Sequence, residues 1–483
     1  MKTGSVLALD LGASSGRLMR VRVEGGRMAA EPLYRFEYGA VSMDGCAYWN
    51  ILGIYENVIK GLRLVQGGND LSLGIDAWAN DFVLLDGHGR LMELPYCYRD
   101  KRTTGIPEAI GKLIPPRALY ARNGIQQMRM NTLYQVYSLV KQRPDFLSRA
   151  GRFFFIPDYL AYLLTGAVKS EYTLAVASQM FDFASGGWDR RLMQKLGIPC
   201  ALFAPIAKSM ETLGTLRAMA GGNSGLPVIA VGAHDTGSAM LAASDDPNVL
   251  VISSGTWSVI GYASCEPLLT DEAFAAMLSN EGGALGGYRV IKNVMGLWIF
   301  QEIVRGLRQL GKPGDYQSLM AEALAAEPMG AYIDPDDERF YEPKDMTAEI
   351  LRACGAAAPA TLGALLRCVF ESLAMKYRLI KDRMERARGR VFRRVMIVGG
   401  GSQNTLLNQL TADYLQLPVD AGLPEATAIG NGMVQFMANG MPEIEARVLV
   451  GESFPKIRYE PADDRRLEAH YWHFFKDMQS YAD

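Results

Sequence analysis

At 483 residues the chain is too long for a single hydrophobic core, and two large domains are expected. Hydrophobic residues make up 49% and charged residues 21%, the balance of a soluble globular protein, and a net charge of −2 offers no attraction to nucleic acid or to an anionic membrane. Apolar runs such as Val6-Leu7-Ala8-Leu9 fall far short of the roughly 20 residues needed to span a bilayer. The N-terminus carries one lysine and enters a strand pattern directly, so it does not read as a signal peptide.

Six cysteines are scattered without a C-x-x-C pair, and only four histidines occur. No Cys/His cluster has zinc-ligand spacing, so reduced thiols without disulfide or structural metal are expected, as in a cytoplasmic protein.

In chain order, an apolar strand ending at Leu9 leads into Asp10-Leu11-Gly12-Ala13-Ser14-Ser15-Gly16-Arg17, after which alternation resumes at Leu18, Met19, Val21 and Val23. This reads as strand, tight turn, strand. A further strand is expected at Leu73–Trp78 and a return strand at Phe82–Asp86. Helical spacing dominates about 103–165, and Gly166 is placed as a helix-closing glycine. Near Leu226–Gly232 a buried strand runs into Ala233-His234-Asp235-Thr236-Gly237, where a helix is expected to start with Asp235 or Thr236 near its cap.

A second strand-turn-strand follows at Val249–Ile252, Ser253-Ser254-Gly255-Thr256-Trp257-Ser258 and Val259–Tyr262. The two turns lie about 240 residues apart and suggest two related halves. The boundary is expected near 241–248, where periodicity gives way to turn residues, which makes the domains 1–243 and 244–483. A helical tail is expected at about 463–480, with Asp463 and Asp464 at its start.

Neither a P-loop nor a strand-linked G-x-G-x-x-G motif is present. Small-residue turns can instead present backbone N–H groups to anionic oxygens. Asp-x-Gly-x-Ser-Ser at the start, His234-Asp235 in mid-chain, the Ser-Gly-Thr turn about 20 residues later, and Val398-Gly399-Gly400-Gly401-Ser402 occur in a characteristic order. In this the whole chain resembles the FGGY carbohydrate kinases. The resemblance implies an α/β fold of two actin-like (ribonuclease H-like) domains with an ATP-binding interdomain cleft. It also implies Mg²⁺ as cofactor, ATP and a ketose as small-molecule partners, and a monomer or homodimer without nucleic-acid or membrane partners.

Flanking stretches such as Asn280-Glu281-Gly282-Gly283 and Asn293-Val294-Met295-Gly296-Leu297-Trp298 are similar to the branch of the family that phosphorylates L-rhamnulose at its 1-hydroxyl. Another ketose such as L-fuculose or D-xylulose is the alternative acceptor. An actin- or Hsp70-like ATPase and a silent sugar sensor are more remote readings.

Carried over onto matching positions, Asp235 is the catalytic base and Asp10 the group that meets Mg²⁺ through water. Ala13, Ser14, Ser15, Gly16, Arg17, Gly255, Thr256, Gln301, Gly400 and Gly401 are the expected ATP contacts. Ala79, His234, Asp235, Thr236 and Asn293 are the expected sugar contacts. The chain departs from the resembled branch at one point: a glycine is expected after Trp78, and Ala79-Asn80 stands there.

Overall fold

The computed structural model describes residues 4–65 and 70–480; the first three residues of the N-terminal stretch lie outside it. The chain forms two compact units. The first comprises Met1–Ala242, Ala263–Val290 and Glu425–Phe454, and the second Ala243–Tyr262, Ile291–Pro424 and Pro455–Asp483. By its contacts the first unit also draws on two segments beyond residue 243. Two later segments return to the first unit because their polar groups find partners there. The Asn280 backbone and side-chain N–H groups both donate to Gly124 O, at 2.8 and 2.9 Å. Gln435 Nε2 donates to Leu7 O at 2.8 Å.

Five helices matter below: α1 (Ile51–Leu64), α2 (Asp235–Ala243), α3 (Trp298–Gln309), α4 (Leu362–Arg388) and α5 (Ala426–Ala438). The strands of the two large sheets are numbered in chain order.

In the first unit these are β1 (Gly4–Leu11), β2 (Ser15–Glu24), β3 (Arg27–Glu37), β4 (Asp70–Ala77), β5 (Thr212–Thr215) and β6 (Pro227–Ile229), in the order β5-β6-β4-β1-β2-β3. Strand β1 runs antiparallel to β2 and parallel to β4, and β4 runs parallel to β6. Being covered on both faces, β1 is buried from Val6 to Leu11, which is why it reads as an unbroken apolar run rather than an alternating one. Helix α1 starts where Asn50 accepts a hydrogen bond from Gly53 N, and it buries the stripe Ile51, Ile54, Val58 and Leu62. Helix α5 packs on β1 and β4, and Asn431, fully buried, donates to Asp76 Oδ2 at 2.5 Å.

The second unit is organised around β7 (Val249–Ser254), β8 (Trp257–Ser264), β9 (Tyr288–Met295), β10 (Arg394–Val398), β11 (Val419–Ala421) and β12 (Ile457–Tyr459), in the order β9-β8-β7-β10-β11-β12, and the short strand Ser279–Gly282 extends this sheet beyond β9. Again the first strand pairs antiparallel with its hairpin partner and parallel with the next, β7 with β8 and β10. The two expected strand-turn-strand elements are thus the β1–β2 and β7–β8 hairpins. The long helix α4 contributes Leu366, Val369, Phe370, Leu373 and Tyr377 to this unit's core.

Phe82–Asp86 does not return along β4; it pairs antiparallel with Ala150–Phe155. The 103–165 region is broken into short helices, and that strand interrupts them. Phe153–Phe155 are fully buried, and three bulky aromatic residues in a row suit a covered strand. Gly166 does close its helix, at φ 88° with its N–H on Tyr162 O. The tail helix runs Arg465–Ser480, with Asp464 accepting from Arg466 N at 3.0 Å. Among the described residues no single helix is long and apolar enough to cross a membrane, and all six cysteines are free thiols.

Candidate active site

Three carboxylates gather at the carboxyl ends of neighbouring parallel strands in the first unit, where open α/β sheets bind ligands. Asp10 ends β1 and stands in register with Asp76 of β4. Beyond β4, Ala77 N donates to Ala233 O at 2.8 Å and Ala77 bridges to His234, which sets Asp235 at the start of α2 beside them. Burial raises the Asp235 carboxyl above its ordinary value; Asp10 adds to the rise, while His234 and Arg289 oppose it. Burial also raises the Asp76 carboxyl well above its ordinary value, with Asp10 and Asp235 adding to the rise and the Asn431 hydrogen bond opposing it. Asp76 escaped the sequence reading. Its signal was available, because Leu-Gly-Ile-Asp-Ala repeats the pattern Leu-Ala-Leu-Asp-Leu that ends at Leu11.

The β1–β2 turn carries Ala13 and Ser14, whose N–H groups donate to no acceptor among the described residues. Tyr38 braces the turn: its N–H donates to Ser14 O at 3.1 Å and its hydroxyl donates to Gly12 O. Gly16 has a different task from its neighbours. A Cβ there would lie 2.3 Å from the Phe36 ring, so its missing side chain serves packing.

Arg17 is held on both sides. Its Nε and Nη2 donate to Asp10 Oδ2 at 2.8 and 2.6 Å, and its Nη1 lies 2.7 Å from Glu425. Arg17 therefore brings a charge that is already largely balanced. Asp10 Oδ1 accepts no hydrogen bond from the described residues, which leaves one face of the carboxylate for a hydrated cation. Among the described residues there is no cluster of three or more His, Cys, Asp or Glu able to cage a metal.

His234 and Thr236 are held from behind by Arg289. Its Nη1 donates to Thr236 Oγ1 at 2.6 Å, and its Nη2 lies 2.7 Å from His234 Nδ1 and 2.7 Å from Glu281 Oε2. Burial alone would raise the Glu281 carboxyl, but the Arg289 charge overcomes it and holds the group at about 2. The His234 backbone is tied by its N–H to Thr173 Oγ1 at 2.9 Å. Ala79 packs in the same apolar cluster as Ala233, and it follows Trp78, whose indole N–H donates to the buried Asp81 at 2.9 Å. Asn80 takes the left-handed conformation, φ 79°, where glycine is at home. Its carbonyl accepts from Thr132 Oγ1 at 3.0 Å, so this departure from the resembled branch is fixed in place.

In the second unit the expected nucleotide residues fall into one group. Thr256 Oγ1 donates to Gln301 Oε1 on α3 at 3.3 Å. The Gly255-Thr256 turn lies on Gly296-Leu297: Leu297 N donates to Gly255 O at 2.9 Å, and Gly296 N to Thr256 O at 3.1 Å. Gly399–Gly401 follow β10, the parallel neighbour of β7, and a Cβ on Gly401 would stand 2.0 Å from Ser254 Oγ. Gly400 differs, since a Cβ there would meet nothing within 4 Å. Packing does not explain glycine at that position. Asn293 lies half-buried on β9 of this unit.

Comparison with known proteins agrees with this arrangement. Residues 5–242 match the N-terminal domain of the FGGY family of carbohydrate kinases, and residues 250–439 match its C-terminal domain. A rhamnulokinase of Bacteroides thetaiotaomicron is 38% identical over 479 residues, covering 97% of this chain and 98% of that protein. One from Oceanobacillus iheyensis is 37% identical, covering 94% of this chain and 97% of its own. Among solved structures, a gluconate kinase from Lactobacillus acidophilus superposes with a TM-score of 0.83 at 14% identity, over 100% of this chain and 99% of that one. A xylulose kinase from Rhodospirillum rubrum gives 0.79 at 19%, covering 99% of each chain. The structures share the two-domain actin-like fold, and the rhamnulokinases share the sequence along almost its whole length. The chain belongs to the FGGY family of carbohydrate kinases.

Proposed function

We propose that the chain transfers the γ-phosphoryl group of ATP to the 1-hydroxyl of L-rhamnulose, giving L-rhamnulose 1-phosphate and ADP. The observation that carries this reading is Asp235. It opens α2 at the carboxyl end of the first unit's sheet, beside Asp10 and the β1–β2 turn, with a quarter of its side chain open to solvent. The rhamnulokinase relatives, similar over nearly the entire chain, support L-rhamnulose as the acceptor.

In this reading Asp235 accepts the proton of the sugar hydroxyl as that oxygen attacks phosphorus. Its raised basicity suits a base that must take up a proton during transfer. Its orientation is fixed by Thr236 N, which donates to Asp235 Oδ1 at 2.6 Å. Ala13 and Ser14 offer N–H groups to the terminal phosphates, where positioning and charge stabilisation do most of the catalytic work. Thr256, Gln301, Gly400 and Gly401 hold the rest of the nucleotide, while Ala79, His234, Thr236 and Asn293 meet the sugar.

Asp10, with one carboxylate oxygen uncommitted, would hold Mg²⁺ through water. The ion would offset charge on the transferring group.

A phosphorylation panel of L-rhamnulose, L-fuculose and D-xylulose tests the substrate. L-rhamnulose is expected to give the highest kcat/KM, and preference for another of the three would overturn the assignment. Asp235→Asn tests the base: kcat is expected to fall by about 10²- to 10⁴-fold with the sugar KM little changed.

A further inference from the structure

Arg289 is among the largest fully buried side chains of the described residues. Taking a guanidinium out of water is costly unless its N–H groups and its charge are met, and an apolar replacement of such a pair is often no less stable. Its retention here is best explained by what it aims. Nε donates to Gly282 O at 3.0 Å and Nη1 to Thr236 Oγ1 at 2.6 Å, while Nη2 reaches both Glu281 Oε2 and His234 Nδ1 at 2.7 Å.

Arginine only donates, so Nδ1 accepts where it pairs with Nη2, its closer contact at 2.7 Å, and the neutral ring then carries its proton on Nε2. Nε2 lies 3.1 Å from Thr236 Oγ1 and 3.7 Å from Asp235 Oδ1. With Nη1 and Nε2–H both donating to it, Thr236 Oγ1 has its two lone pairs filled. Only its hydroxyl hydrogen remains to be offered.

We propose that Arg289, clamped by Glu281, is a positioning residue that fixes His234 as the Nε2–H tautomer and commits the Thr236 hydroxyl to donate to an oxygen of the acceptor sugar. The proposal rests on the reading above that His234 and Thr236 face the sugar. It assigns specificity to a donor whose direction is set from behind. An analogue that lacks the accepting oxygen leaves that donor unmet and is rejected. Glu281 Oε2, 3.0 Å from Nδ1, competes with Arg289 for that nitrogen and favours the opposite tautomer where Arg289 does not donate to it.

The tautomer is measured on the unliganded protein by ¹⁵N NMR with labelled histidine. His234→Gln identifies the His234 signals among those of the four histidines. A protonated Nε2 and an unprotonated Nδ1 are expected in the wild type, and Arg289→Lys should shift the population toward Nδ1–H. A wild-type ring protonated on Nδ1 would overturn the proposal.

In kinetics, Arg289→Lys should raise the sugar KM by about 10- to 100-fold and leave the ATP KM unchanged. Should that variant fail to fold, Glu281→Gln/Arg289→Met removes both buried charges together and should show the same split. An unchanged sugar KM in the folded double variant also overturns the proposal. Full turnover in Asp235→Asn would instead refute the reading of the base, and the tautomer measurement would still stand.

Discussion

Gly430 ties the stability of the first unit to the placement of Asp235, the proposed base. It lies on α5 where that helix crosses α2, and a Cβ built on it would stand 1.8 Å from Ser238 O and 2.6 Å from Ser238 C. Contacts of a real Cβ below 3.0 Å are essentially never seen, so Gly430→Ala must separate the two helices by at least about 1.2 Å. Ser238 O belongs to helical backbone and cannot swing aside.

The next turn of α5 carries Asn431 and Gln435, which donate to Asp76 Oδ2 at 2.5 Å and Leu7 O at 2.8 Å; Gln435 also accepts from Ser72 Oγ at 2.7 Å. A shift of that size takes these bonds past useful length. Overpacking costs about 1–3 kcal/mol, and each lost buried hydrogen bond about 1 kcal/mol more. Together they give a destabilisation of roughly 4–6 kcal/mol.

Because Asp235 opens α2 three residues before Ser238, the same shift should lower kcat by about 10²-fold. Urea unfolding and steady-state kinetics read the two effects. Gly39→Ala, where a Cβ meets nothing within 4 Å, is the control expected to change neither. Wild-type stability and turnover in Gly430→Ala would refute the reasoning.

Gly400 and Gly401 should separate in the same manner. Gly401→Ala, which drives a Cβ against Ser254, should destabilise the protein, whereas Gly400→Ala should leave stability unchanged and raise the ATP KM by about 10-fold or more. The buried Glu281–Arg289 pair predicts a pH dependence of stability. Glu281 titrates at about 2 when folded against 4.5 as its ordinary value, so its contribution is present above pH 4.5 and lost as pH falls toward 2. Wild type should thus lose about 3 kcal/mol relative to Glu281→Gln/Arg289→Met across that window, measured by urea unfolding at successive pH values. A constant difference between the two proteins would count against the pair.

The parts of this protein that were readable in the chain are those that local chemistry dictates. A strand, a turn of small residues and a second strand occupy a short window, so Asp10, Ala13–Arg17 and Gly255-Thr256 can be located by pattern alone. Asp235 was legible for the same reason, as the residue where an apolar strand gives way to a helix. The family followed from the order of such windows.

Tertiary structure decided which of those groups are free and which are already engaged. Arg17 was expected as an ATP contact, but Glu425, from more than 400 residues along the chain, folds back to balance its charge. Gly16 looked like part of a phosphate turn, yet it makes room for Phe36 on the next strand. The Asp76 carboxyl is raised above its ordinary value because α5 closes over its strand and β1 brings Asp10 into register with it. Arg289 and Glu281 lie about 50 residues beyond His234, with no periodicity linking them, and they meet it only through a buried network. Pairing between distant segments depends on which surfaces are buried together, and a local pattern of residues carries no record of that.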